Sequence, residues 1–225
     1  LSICEPLSAA GMDWLYFALM GLIAILLGSF GSVFNTYSGL YLAKDNDLLL
    51  SMPIPVGVIM TARLLVVYIM GLLYSGVVII PAAAVYLIKV SATVGSVIGS
   101  FMSVLLISVF VLTLSCILGW VVAKISLKLK NKSVITVFVS IMFLAAYYFV
   151  YFKAQSLISE LIANAAVYGE KIKGSAYPIY LAGKAGTGDP AALAIVTAVV
   201  IALFALMWVL ISRSFLKTAT SAGKN

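Results

Sequence analysis

The sequence predicts an all-α, polytopic membrane protein. Three observations carry that prediction. The chain of 225 residues is 64% hydrophobic and only 9% charged, whereas soluble domains carry about 25% charged residues. Five apolar runs are each long enough to cross a hydrocarbon core, which takes roughly 20 residues. Those runs are continuous rather than alternating in short segments, which selects helices over a membrane barrel.

The elements follow in order. The first span covers about residues 14–34, beginning at Trp14. The second covers about 56–78, or reaches Leu87 past Pro81. The third, about 94–122, is long enough to tilt or to overrun the interface. The fourth covers about 134–152 and ends in Tyr147, Tyr148, Tyr151 and Phe152, as an interfacial aromatic belt does. The fifth covers about 191–211. No run has a charge in its middle. Arg63 lies near the start of the second.

Lysine and arginine set the orientation. Grouping the connections alternately puts nine on one side, with the cluster "AKISLKLKNK" among them, and five on the other. Four of those five, Lys153, Lys171, Lys173 and Lys184, share one long loop. Five of the seven acids fall on the lysine-poor side. The lysine-rich side is therefore expected to be cytoplasmic, with the C-terminus inside and Leu1 outside. The chain starts without methionine or a cleavable signal pattern. The economical expectation is a fragment holding five of six spans.

The loop 35–55 is then cytoplasmic, and its centre reads "AKDNDLLLSMPIP". Asp45 can cap a short helix and Asp47 sits in its first turn, where both favour the positive end of the helix dipole. Leu48, Leu49 and Met52 share one face. Pro53 stops the helix and Pro55 stiffens its exit. Such a helix either lies on lipid or docks into a cytoplasmic protein. Its acids are disfavoured beside an anionic leaflet, which tips the balance toward a protein partner. Arg63 either snorkels to the interface or pairs with Asp45 or Asp47, pinning the helix to the membrane domain.

The stretch "YLAKDNDLLLSMPIPVGVIMTARLLVVYIMGLLYSGVVIIPAAAVY" resembles the permease subunits of bacterial type-2 ABC exporters. The residues that carry the resemblance are Asp45, Asn46, Asp47, Leu49, Leu50, Ser51, Met52, Pro53, Ile54 and Pro55, followed by Arg63 and Tyr68. They cover about a fifth of the chain. The resemblance implies that Asp45, Asn46, Asp47, Leu48, Leu49, Ser51, Met52 and Pro53 form a coupling helix seated on a separate cytoplasmic ATPase subunit. It implies a second permease subunit or half, surrounding membrane lipid, no nucleic acid, and a bacterial cytoplasmic membrane. It also implies an extracellular helical insert before the last span, where residues 153–190 lie. ATP and its magnesium would belong to the partner, so this chain would need no cofactor and do no chemistry of its own.

The remaining features are weaker. "GKAGTGDP", residues 183–190, is glycine-rich, but its lysine comes too early for a phosphate loop and no serine or threonine follows it directly. It reads as a flexible turn. Residues 156–168 read as an amphipathic helix, either lying on the outer interface or forming a lid over a translocation path. Gly95 and Gly99 make a G-x-x-x-G, a common aid to close helix packing. Cys4 and Cys116 read as too far apart along the membrane normal to pair easily. There is no histidine, which removes the commonest metal ligand and general base. The lack of deeply buried acids or bases weighs against the two rival readings' leader, an ion-gradient-driven secondary transporter. The other rival is a membrane scaffold that transports nothing.

Overall fold

The structure is a computed structural model, and it describes residues 3–41, 53–90, 92–126 and 164–222, with 137, 141, 142, 144, 145, 148, 149, 152, 153 and 160 between them. Among the described residues the chain is helical throughout, with no strand. A short α1 (Cys4–Ala9) leads into α2 (Asp13–Thr36), which ends in a π-helical turn (Tyr37–Tyr41). Then come α3 (Val56–Lys89), α4 (Val94–Ser126), α5 (Ala165–Ser175), α6 (Tyr177–Thr187) and α7 (Pro190–Ala222). Four helices are long and apolar enough to cross a membrane: Asp13–Val33, Gly57–Lys89, Val94–Lys124 and Pro190–Ser212. They agree with the first, second, third and fifth runs read from the sequence.

The ends of these helices have local causes. Gly11 takes the left-handed conformation (φ 67°) at the α1–α2 corner, which glycine adopts without a Cβ penalty. At the head of α4, Thr93 and Ser96 cap each other. The Ser96 N–H donates to Thr93 Oγ1 at 3.2 Å, and the Thr93 N–H donates to Ser96 Oγ at 2.9 Å. This satisfies two donors that a bare helix start would leave open.

The second span takes the longer of its two readings: α3 runs on through Pro81 to Lys89, 34 residues in all. A proline removes one hydrogen bond and crowds the preceding turn, but the turns beyond Pro81 are held from outside. Ala82 and Tyr86 are buried against α1 and α2, and Tyr16 Oη donates to the Ala82 carbonyl at 3.0 Å. The run 134–152 lies mostly outside the described residues. Those of its residues that are described, such as Val137, Ile141, Tyr148 and Phe152, are helical and exposed.

Packing is organised at the two ends of the bundle. At one end, Cys4 and Leu7 of α1 are buried with Trp14, Tyr16 and Phe17 of α2 and with Tyr86 of α3. Phe17 meets Tyr86 edge-to-face at 4.8 Å, and Trp14 meets Tyr180 of α6 the same way at 4.8 Å. Such pairs add about 0.5–1.5 kcal/mol beyond area burial. Lys89 and Glu5 form an ion pair of 2.6 Å at this end. Its hydrogen bond from Lys89 holds the Glu5 carboxyl below its usual range. At the other end, Tyr37, Leu40, Met60, Leu64, Leu112, Cys116, Met207 and Ile211 bring the π turn, α3, α4 and α7 together. Midway, a Cβ on Gly28 would come within 2.9 Å of Val111 and 3.0 Å of Ser75. The absence of a side chain there is what lets α2, α3 and α4 approach.

Candidate functional site

Two places draw the functional residues together, one at each end of the bundle. The first is the pair of roots from which residues 42–52 emerge. On one side α2 gives way to the π turn. On the other, Pro53 and Pro55 lead into α3, where Pro53 and Ile54 are exposed. Arg63, about two turns into α3, donates from Nη1 to the Gly39 carbonyl in the π turn at 2.6 Å. A π turn shifts its carbonyls out of α-helical register, and a charged donor bonded to one is a strong contact. Gly119 of α4 closes the third side, where a Cβ would lie 3.0 Å from Thr36 Cγ2. The two roots are thus tied to each other and to the bundle.

Of the residues assigned to coupling, Asp45, Asn46, Asp47, Leu48, Leu49, Ser51 and Met52 lie outside the described residues. Pro53 is placed as an exposed bend immediately before α3. Arg63 bonds a backbone carbonyl at the end of the preceding helix, that of Gly39. Its pairing with Asp45 or Asp47 falls outside the described residues.

The second place is a cavity of about 360 Å3 at the α6 end. Phe17 to Ile25 of α2 form one wall, and Ser103 to Phe110 of α4 form the back. Ile195 to Val200 of α7 form the other wall, and Pro178 to Ala185 of α6 form the roof. Ser103 supplies the only polar side chain of that lining.

The roof is built from the segment expected to be a flexible turn. "GKAGTGDP" is instead the last turns of α6 and a capped junction into α7. Gly183, Ala185 and Gly186 are buried. Cβ atoms on Gly183 and Gly186 would collide with the Trp14 carbonyl and the Phe17 side chain. A Cβ on Gly99 would come within 2.5 Å of Gly188 Cα. The G-x-x-x-G of α4 is therefore the seat of the α6 C-terminus. Gly188 stands at φ 97° and caps α6, its N–H donating to the Ala185 carbonyl at 3.2 Å. The Asp189 N–H donates to the Lys184 carbonyl at 3.3 Å. Both N–H groups are spent within the junction.

Asp189 then starts α7. Its Oδ1 accepts from the Ala192 N–H at 3.0 Å and its Oδ2 accepts from Lys184 Nζ at 2.8 Å. The Lys184 contact, and then the Ala192 N–H, hold the Asp189 carboxyl below its usual range. The same pair pushes the Lys184 ammonium above its own.

Sequence reasoning placed a helical insert over 153–190 but read residues 183–187 as a flexible turn, and it missed the Gly39 carbonyl. The sequence did hold one signal for α6: three small residues, Gly183, Ala185 and Gly186, ahead of an Asp-Pro helix start. A backbone acceptor such as Gly39 has no residue-type signal. Among the described residues no three His, Cys, Asp or Glu side chains gather as metal ligands do.

No known family model, curated protein or solved structure matches this chain.

Proposed function

We propose that the chain is the membrane-spanning permease subunit of an ATP-driven exporter. It works beside a second permease subunit or half and is driven by a separate cytoplasmic ATPase. The observation that carries the reading is the Arg63–Gly39 bond, which fastens both roots of the 42–52 segment to the bundle. A segment that transmits force must be held at its base, because a loosely tethered loop absorbs displacement instead of passing it on. With Leu48, Leu49 and Met52 seated on the ATPase, closure of the ATPase would push the base of α2 and α3 together. The helices α5 and α6, lying before the last span, agree with the extracellular insert that the resemblance implies. In this reading the protein sits in a bacterial cytoplasmic membrane with its C-terminus inside. The ATP and magnesium belong to the partner.

The test is purification of the full-length protein in mild detergent, with mass spectrometry of what stays bound. The expected result is a stoichiometric subunit carrying a phosphate-binding loop. The double variant Leu49→Glu, Met52→Lys should lose that subunit, or its coupled transport, while remaining in the membrane. Normal transport in the double variant would sink the coupling assignment. Transport that persists on an ion gradient without ATP, with no such subunit in several detergents, would establish the secondary carrier in its place.

A further inference from the structure

Where α2, α3 and α4 meet, two hydroxyls are buried without a bond. Ser32 and Ser115 are both 0% exposed, and neither Oγ has a hydrogen-bond partner among the described residues. Other buried hydroxyls of these spans do pair. Thr36 Oγ1 donates to the Ser32 carbonyl, and Ser75 Oγ donates to the Gly71 carbonyl, each at 2.8 Å. Ser108 Oγ and Thr113 Oγ1 donate one turn back in the same way, to the Val104 and Val109 carbonyls. An unpaired buried hydroxyl carries its desolvation cost in full, and lipid hydrocarbon offers it no partner.

Close contacts fix where the two hydroxyls stand. A Cβ on Gly28 would lie 2.9 Å from Val111, and one on Gly119 would lie 3.0 Å from Thr36. Helices α2 and α4 are therefore parallel here, with Gly28 beside Val111 and Thr36 beside Gly119. Ser32 is halfway between Gly28 and Thr36, and Ser115 is halfway between Val111 and Gly119. The two serines are thus level with each other. Gly71 of α3 closes the third side. A methyl built on it would sit 3.4 Å from Val111 Cγ1 and 3.8 Å from Ser32 Oγ, which are ordinary contact distances. Beside Ser32 there is room for a group of methyl size, roughly that of one water. All three residues lie on candidate spans, and Gly71 is well inside the one that starts at Gly57.

The surroundings decide what fits that room. Helices α3 and α4 hold no acid, and α2 holds only Asp13 at its far end, so a cation would be uncompensated. The space is too small for a polyatomic anion. An apolar group would leave both hydroxyls unpaired. A water bonds both, and two polar partners are enough to hold a buried one.

We propose that Ser32 and Ser115 bind one water molecule between them, against the bare face of Gly71. The water donates to one Oγ, accepts from the other, and so joins α2 to α4 inside the membrane. This site stands apart from the coupling reading, since it requires neither the ATPase nor ATP.

The test is radiolytic footprinting of the full chain in lipid vesicles. Brief X-ray pulses turn a bound water into hydroxyl radicals in place. These oxidise the side chains they touch, and peptide mass spectrometry locates the products. Val111 should be oxidised severalfold more than Leu15 and Ile79, which are as buried as Val111 at 0% exposed but lie away from the two serines. Gly71→Ala puts a methyl into the room and Ser115→Ala removes one partner. Each should bring Val111 down to the level of Leu15. Ser32→Ala and Ser115→Ala should each lower the melting temperature, and the double variant should fall little further, because both serines hold the same water. Hydroxyls that are simply unpaired predict the reverse, since removing either would raise the melting temperature. Val111 oxidised no more than Leu15 in the wild type would overturn the proposal, and that comparison needs no variant to fold. So would oxidation of Val111 that survives Gly71→Ala and Ser115→Ala, or a melting temperature unchanged or raised in the single serine variants. Both readouts are silent on the ATPase, so each reading fails separately.

Discussion

Gly188 stands at φ 97°, and a Cβ there would meet the Gly95 carbonyl. An L side chain in that conformation costs about 1–2 kcal/mol before any clash. Gly188→Ala should therefore destabilise the detergent-solubilised protein by at least about 2 kcal/mol, read as a lowered melting temperature. Gly57→Ala, in an exposed first turn of α3 with open space around it, should be neutral or slightly stabilising. Arg63 makes a second residue-scale case. Arg63→Met removes a charged donor from the Gly39 carbonyl, at a cost of about 1.5–3 kcal/mol. Arg63→Lys should recover only part of it, because an ammonium lacks the reach and planar fork of the guanidinium. If Arg63→Met melts like the wild type, the pin has no energetic weight.

The α6–α7 junction is an element held by charge as well as by close packing. Asp189 has its carboxyl depressed, so its contribution is present above its usual range and is lost as pH falls through the lower value it has in the fold. Lys184 is raised, so its contribution holds below its usual range and is lost as pH climbs through the raised value. Both groups are half-buried and still reached by solvent, so the effect is modest. The expected profile is a plateau of melting temperature across neutral pH, falling in strong acid. Glu5, held low by Lys89, falls in the same range. The difference between wild type and Asp189→Asn isolates the junction: the variant should sit lower on the plateau and show a shallower acid limb. Identical acid limbs would show that the Lys184–Asp189 contact does not stabilise the junction.

This junction also marks where the sequence stopped being legible. The long spans are visible because membrane burial writes itself as an uninterrupted apolar run. Asp189-Pro190 announces the start of α7 by residue type alone. The last turns of α6 stay hidden because Gly183, Gly186 and Gly188 are poor helix formers taken singly. They are held by what they pack on: Trp14, Phe17, Ala18 and Gly99 lie 80 or more positions away in the chain. Pro81 leaves the end of α3 open in the same manner, since the contacts that carry α3 past it come from α1 and α2. The coupling residues 45–52 are read from a resemblance and from local capping chemistry. Only Pro53 and Arg63 at the edge of that segment have a place in the fold.

At the scale of the whole molecule, α2, α4 and α7 run one way and α3 the other, and the two buried clusters define its two ends. Which end faces the cytoplasm is a prediction from lysine and arginine. It is open to direct labelling because both native cysteines, Cys4 and Cys116, are buried. Burial also pushes the Cys4 thiol up, which slows its reaction further. In intact cells Ala92→Cys should react with a membrane-impermeant maleimide, and Lys128→Cys only after permeabilisation. The reverse result would place residues 42–52 outside the cell, beyond the reach of any cytoplasmic ATPase.

Helix α3 carries one more consequence. Its 34 residues measure about 51 Å, against a hydrocarbon layer of about 30 Å. Each end is tied to a different neighbour, Arg63 to Gly39 and Lys89 to Glu5. A rod longer than its medium must lean or protrude, and how far depends on the thickness of the sheet around it. Thin membranes would load both ties at once, and thick ones would let the rod stand straighter. Melting temperature measured across lipids of increasing acyl length should rise toward longer chains, and cutting either tie should flatten that slope. The protein would then act as a gauge of membrane thickness, with α3 as its needle.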